Sequence, residues 1–195
     1  MTEQPSTRRR GRALTEAIYL ATLQELARTG FTALSFDKIA TTAGTGKAAL
    51  YRRWPSVDAL VLAALTDPAT GFGHPLVPPR MGSLRTDLIT LLTQFVHALG
   101  EPRGRALLPL VAHRHQHPEL SEQVWRSVIR PAQDVLLEVL GDAAARGEAN
   151  PVRITKLSAS VGPRMLLVEA WRVDSVGDDK VAEVVDEILV PLLSA

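Results

Sequence analysis

The chain has 195 residues, 46% of them hydrophobic and 22% charged, which is enough apolar content to bury a core in one or two modest domains. It has no cysteine, which excludes disulfide frameworks, thiolate metal sites and cysteine nucleophiles and favours a reducing compartment, the cytoplasm. The net charge of +1 hides an asymmetry: nine of the 22 Lys/Arg but only four of the 21 Asp/Glu precede Pro55, so a basic N-terminal segment is joined to a mildly acidic body. That split points to a polyanionic partner at one end, either nucleic acid or an anionic membrane surface.

Residues 1–11 are polar, carry arginines and lack apolar periodicity, and read as a flexible basic arm. No apolar run reaches the roughly 18 to 20 residues of a membrane span, and the first residues lack the apolar core of a secretory signal. From Leu14 to Thr29 the residues Leu14, Ala17, Ile18, Ala21, Leu26 and Ala27 recur at mostly helical spacing, and Gly30 ends the pattern. Ser35 then caps a second helix, Phe36 to Ala43, with Phe36, Ile39, Ala40 and Ala43 on one face. Gly44 to Gly46 make a turn, and a third helix runs from Lys47 to Trp54, where Pro55 stops it. Ser56 caps a fourth helix ending near Asp67.

Prolines 68, 75, 78 and 79 with glycines 71, 73 and 82 mark residues 68–82 as a linker. Beyond it the pattern is helical throughout: Leu84–Leu99, Arg105–Gln116, Leu120–Arg146, Ile154–Arg172 and Asp178–Leu193, with Pro131 and Gly162-Pro163 expected to kink their helices. The expectation is an all-α chain: a helix-turn-helix domain over 12–67, then a helical domain over 83–195. There is no Gly-rich phosphate loop, paired-carboxylate motif or serine in a strand-turn-helix setting, so an enzyme is disfavoured and no cofactor is implied.

Residues 35–54, SFDKIATTAGTGKAALYRRW, carry the functional argument. Two short helices flank a glycine turn; Ala40 lets them approach, Gly44 supplies a positive φ, and Leu50 with Phe36 and Ile39 fills the shared core. Lys47, Ala48, Tyr51 and Arg52 are left on the outer face of the second helix, a set suited to a major groove. The competing reading of this segment alone is an ordinary helical corner with a solvated basic face.

The wider segment, Gly30-Phe31, Ile39-Ala40, Ala43-Gly44, Leu50-Tyr51, Trp54-Pro55 and Ala59-Leu60 in that order, resembles the N-terminal domain of the tetracycline-repressor (TetR) family of bacterial transcription regulators. The resemblance covers about residues 12–67. It implies a homodimer that places two recognition helices on a palindromic double-stranded DNA operator and is released by a small-molecule effector held in the C-terminal domain. Position by position it implies DNA contacts from Lys47, Tyr51 and Arg52, with Ala48 and Ala49 facing the groove and Thr45 and Arg53 beside it. Three positions depart from the family pattern: Gly46, Ala49 and Val57 stand where Ser, Thr and Lys are common. A glycine N-cap is weaker than serine by only a few tenths of a kcal/mol, and Arg52 and Arg53 can reach phosphates in place of the missing polar groups. Arg8, Arg9, Arg10 and Arg12 precede the first helix and are suited to following the DNA backbone or a narrow minor groove.

In the C-terminal body the apolar stripes of the last two helices, such as Val181, Val184, Val185, Ile188 and Leu189, need a partner surface. A dimer through these helices fits, and an internal core is the competing use. Phe95, Trp125 and Trp171 are the large aromatics available to line an effector pocket or to pack a core. His113, His115, His117 and Glu119 invite a metal reading, but Pro118 ends the helix there and no further histidine follows, so no metal is expected. The function class that fits best is a sequence-specific transcription regulator, and the alternative is a DNA-binding architectural protein without a ligand.

Overall fold

The computed structural model describes residues 11–173 and 175–194, and among them the regular elements are helices, with no strand. The chain divides into two compact units: residues up to His74 together with Ala106–Ser121, and Pro75–Arg105 together with residues from Glu122 on. None of the described helices is long and apolar enough to cross a membrane.

In the first unit α1 (Gly11–Thr29) packs against α2 (Phe36–Ala43) and α4 (Val57–Thr66), with the short α3 (Lys47–Tyr51) beside α2. Ile18, Leu23 and Leu26 of α1, Ile39 of α2, Leu50 of α3 and Leu60 and Leu65 of α4 are completely buried. Each such side chain contributes roughly 1.5–3 kcal/mol of burial. The segment after α4 is a built structure rather than a loose linker. Asp67 Oδ1 accepts from the Ala69 and Thr70 N–H groups at 2.9 Å each, and Phe72 N–H returns to the Leu65 carbonyl at 2.7 Å. A side chain at Gly71 would lie 2.3 Å from the Ala64 carbonyl oxygen, so only glycine lets the chain close over the end of α4. Ala106, Leu107 and Leu110 of α6 (Pro102–Ala112) and Leu120 of α7 (Pro118–Val124) are also buried.

The second unit is built around α5 (Leu84–Gly100), which packs against α8 (Arg130–Ala145), α9 (Lys156–Arg172) and α10 (Asp178–Val184). Its core includes Leu88, Leu92, Leu140, Leu166, Val181 and Val185. At Gly162 two helices approach closely enough that an added Cβ would meet Leu189 Cδ1 at 2.7 Å and Leu92 Cδ1 at 3.3 Å.

The proline positions behave in a way that periodicity does not reveal. Pro131 follows a π-helical turn, Trp125–Ile129, that joins α7 to α8, and Pro191 follows a second one, Val185–Leu189, that joins α10 to α11 (Val190–Ser194). A proline donates no N–H and crowds the carbonyl four residues back. Widening the preceding turn to i→i+5 bonding relieves both effects without ending the helix. By contrast α9 runs unbroken through Gly162-Pro163.

A buried ionic cluster closes one end of this unit. Asp87, only 1% exposed, accepts from the Met81 N–H at 2.6 Å and from Arg146 Nη2 at 3.1 Å. Arg146 Nε also donates to Glu148 at 2.6 Å, and Glu148 in turn accepts from the Leu84 N–H at the start of α5. Removing one partner of a buried pair leaves the other charge without compensation. Arg146→Met is therefore expected to lower stability, read as a lower urea midpoint. Combining it with Asp87→Asn should restore part of the loss. A midpoint unchanged by Arg146→Met would show that Asp87 does not depend on this guanidinium.

Candidate nucleic-acid interface

The helix-turn-helix is made by local chemistry. Ser35 is extended (φ −149°, ψ 156°), and its hydroxyl accepts from the Lys38 N–H at the start of α2. At the other end Gly44 takes φ 65°, ψ 40°; its N–H bonds to the Thr41 carbonyl while the Thr45 N–H reaches back to the Ala40 carbonyl at 2.9 Å. This paired closure needs a residue free to enter the left-handed region, which is why glycine stands there. Gly46 caps α3 in an extended conformation without a side-chain bond.

The regular part of α3 ends at Tyr51, three residues before the Trp54 that periodicity suggests. Arg52, Arg53 and Trp54 continue as a turn, with the Arg53 and Trp54 N–H groups both donating to the Leu50 carbonyl at 2.9 and 3.0 Å. Pro55 forces this early exit because the residue before a proline leaves the helical region. Trp54 is buried and meets Tyr19 of α1 edge-on at 5.7 Å, anchoring the end of the motif.

With Leu50 buried, the opposite face of α3 is open. Lys47, Ala48, Tyr51, Arg52 and Arg53 are exposed, and Thr45 and Ala49 are half-buried. The motif thus gathers these seven residues along one short stretch. Tyr51 is 61% exposed, yet its ring stands edge-on to Phe36 of α2 at 4.7 Å, which fixes its direction. Lys47 Nζ lies 3.4 Å from Asp37 Oδ1. Arg53 Nη1 donates to Thr15 Oγ1 at 2.9 Å and its guanidinium sits 6.0 Å from the Trp54 ring. The ties from Tyr51 to Phe36, Lys47 to Asp37 and Arg53 to Thr15 cross between helices, and no spacing rule reveals them.

Arg12 corrects the reading of the basic arm. It lies within the first turn of α1, which begins at Gly11, and its Nε donates to Glu16 at 2.6 Å. The i,i+4 partner and the Thr15 hydroxyl, which donates to the Gly11 carbonyl at 3.3 Å, carry the helix further toward the N-terminus than its apolar periodicity does. Arg8, Arg9 and Arg10 lie outside the described residues.

The histidines have three different surroundings. His113 Nδ1 is 2.9 Å from the Pro109 carbonyl, and His115 is 3.5 Å from Arg114. His117 packs on Phe31 with the ring centres 3.9 Å apart and the planes tilted by 48°, and faces Asp58 of α4 at 3.3 Å, an attachment of the 113–117 turn within the first unit. No group of three or more potential ligands is poised for a metal among the described residues. In the second unit Phe95 packs against the core, whereas Trp125 and Trp171 are 45% and 55% exposed.

Comparison with known proteins places these features in a wider set. Residues 18–64 match the family model described as bacterial regulatory proteins, tetR family, and residues 78–188 match that of the tetracyclin repressor-like C-terminal domain. A helix-turn-helix-type transcriptional regulator of Mycobacterium tuberculosis is 30% identical over 176 residues, 89% of this chain and 84% of that protein. The DNA-binding transcriptional repressor TetR of Mycobacteroides abscessus is 28% identical over 185 residues, 94% of this chain and 96% of that protein. Among solved structures, Salmonella enterica GusR shares the fold with a TM-score of 0.69 at 20% identity, covering 97% of this chain and all of that one.

The scaffold behind the exposed face contains one buried acid, Glu25 of α1. It accepts from Arg28 Nη2 at 2.6 Å and from Thr42 Oγ1 at 2.8 Å, tying α1 to α2. The bonds from Arg28 and then Thr42 hold its carboxyl below the usual glutamate range. A lowered native value means that this stabilisation is complete at neutral pH, above the ordinary value of about 4.3, and is lost as pH falls through the native value. A double-mutant cycle of Glu25→Gln and Thr42→Val should give a coupling of about 1 kcal/mol at pH 7 and clearly less at pH 3. Equal coupling at both pH values would mean that the ionised carboxylate is not the acceptor.

Proposed function

This chain belongs to the TetR family of bacterial transcription regulators, and we propose that it is a repressor whose α3 enters the major groove of a palindromic operator. The family relationship makes it a DNA-binding transcription regulator, the non-enzymatic role its relatives are named for. Members of the family act as dimers, which gives two recognition helices for two half-sites about 34–36 Å apart or a multiple of this.

The observation that carries the reading is the open face of α3. Leu50 is buried behind it, while Lys47, Ala48, Tyr51 and Arg52 face outward. Ala48 and Ala49 allow close approach to base edges, Tyr51 and Arg52 reach bases or backbone, and Lys47 neutralises phosphate. Thr45 and Arg53 flank the groove. Arg53, tied to Thr15 of α1, supplies a phosphate contact there, and the arginines at positions 8, 9, 10 and 12 are proposed to follow the DNA backbone. Release by a small-molecule effector bound in the second unit completes the proposal, with Phe95 as its inner aromatic and Trp125 and Trp171 as outer ones.

The dimer is proposed to form through α9 and the α10–α11 helix. Leu157, Met165, Val168 and Trp171 of α9 are 69%, 41%, 59% and 55% exposed. Their helical spacing puts them on one stripe, and Ile188 of the next helix is 39% exposed. Large side chains in one exposed stripe are the signature of an interface rather than of scattered surface residues.

Two measurements test this. Tyr51→Ala should weaken binding to an operator-bearing duplex about tenfold, roughly 1.4 kcal/mol, and Arg52→Ala should also flatten the salt dependence by about 0.9 in logarithmic slope for each phosphate it no longer neutralises, both without changing oligomeric state. Equal binding of wild type to operator and scrambled duplexes would instead favour an architectural role. Val168→Glu should convert the dimer to monomer in sedimentation and abolish tight operator binding. A dimer that survives Val168→Glu would place the interface elsewhere.

A further inference from the structure

Asp37 is an acid on a face otherwise furnished with cations. It stands in the first turn of α2, where a carboxylate usually serves the positive end of the helix. That end already has a cap in the Ser35 hydroxyl. The Asp37 carboxylate instead lies 3.4 Å from Lys47 Nζ, on the first residue of α3.

The pair has little to do with stability. Both side chains are 66% exposed, so water screens their attraction and an exposed pair of this kind adds little to folding. Lys47 itself is poorly placed for folding, since a cation at a helix N-terminus meets partial charge of its own sign. The same exposure makes the pair easy to exchange, and a phosphate arriving at α3 competes directly with Asp37 for the ammonium group. The neighbouring cations are held otherwise: Lys38 Nζ donates to the Ala33 carbonyl at 2.8 Å and Arg53 to Thr15. Lys47 is thus the cation of α3 that an acid from the other helix neutralises.

We propose that Asp37 is a specificity-determining residue: it holds Lys47 neutralised away from the operator and releases it only when α3 is seated in the groove. Non-specific affinity comes from counterions released as cations neutralise phosphates. A lysine already neutralised by its own carboxylate releases fewer. In a loosely docked complex on random DNA Lys47 stays with Asp37 and adds nothing, whereas the close approach permitted by Ala48 and Ala49 on a matching operator brings an acceptor near enough to take it over. Asp37 thus weakens binding to random DNA more than binding to the operator. This rests on α3 being the recognition helix.

The test compares full-length wild type, Asp37→Asn, Lys47→Ala and the double variant on a selected operator and a scrambled duplex, each across a salt titration. Asp37→Asn is expected to bind the scrambled duplex more tightly, with a logarithmic salt slope steeper by about 0.9 per subunit, and to lower the ratio of operator to scrambled affinity several-fold. In the double variant the gain should vanish. An unchanged slope for Asp37→Asn, or a gain that persists without Lys47, would overturn the inference. Arg52→Ala, run alongside, separates the two levels. If it leaves operator binding unchanged, the reading of α3 fails; if it weakens binding while Asp37→Asn is silent, only the role of Asp37 falls.

Discussion

A helix of five residues has little more than one turn, and a single turn does not form by itself in water. Everything that α3 presents therefore depends on how it is held beside α2, and the main hold is the burial of Leu50. Leu50 has no exposure at all, and with it turned inward Ala48, Tyr51 and Arg52 point outward by the geometry of the helix, while Lys47 is exposed at the first position of α3. Trp54 adds a second anchor one turn later, and Pro55 ensures that the chain leaves there and starts α4 on the Ser56 cap. The αL glycine at position 44 sets the angle between the two helices, so the outward face is a consequence of three local facts and one buried leucine.

The polar ties around α3 refine this arrangement rather than create it. Tyr51 against Phe36, Lys47 with Asp37 and Arg53 with Thr15 each connect an outward-facing group to a neighbouring helix. On the proposed reading, restricting these side chains before DNA arrives removes part of the ordering entropy that binding would otherwise have to overcome. Glu25 works one layer deeper, since its bonds to Arg28 and Thr42 brace α1 against α2 and keep the scaffold from shearing. The face is rigid from behind and adjustable only at its charged tips.

Much of this unit was legible in the sequence because its determinants are local. The bounds of α2, the serine caps at positions 35 and 56, the glycine turn and the buried set Phe36, Ile39, Ala40, Ala43 and Leu50 all follow from spacing and residue chemistry, and the structure has them in those places. What escaped does not follow from apolar spacing. The α1 start at Gly11 depends on polar i,i+4 bonds rather than apolar period, the π-turns before Pro131 and Pro191 depend on how a long helix accommodates a missing N–H, and the grouping of Ala106–Ser121 with the first unit depends on contacts such as His117 with Phe31 and Asp58. Nothing in a one-dimensional pattern records a partner fifty or more residues away. The pairing of Lys47 with Asp37, ten residues apart, escaped because it depends on how the turn brings the two helices together.

The departures at Gly46, Ala49 and Val57 gain meaning from this geometry. The resemblance implies a helix cap at position 46 and phosphate contacts at positions 49 and 57, so on the proposed reading this protein relies for its phosphate contacts on its remaining cations, Arg52 and Arg53 among them. Such cations grip any duplex, since phosphates carry no sequence information directly. On that reading α3 needs some way to keep its cations from strengthening non-specific binding. Small residues on the groove face answer half of that need, because close approach lets shape and base edges decide whether the helix can seat. A carboxylate that occupies a cation until seating occurs answers the other half, and α2 carries one at the position from which it can reach Lys47.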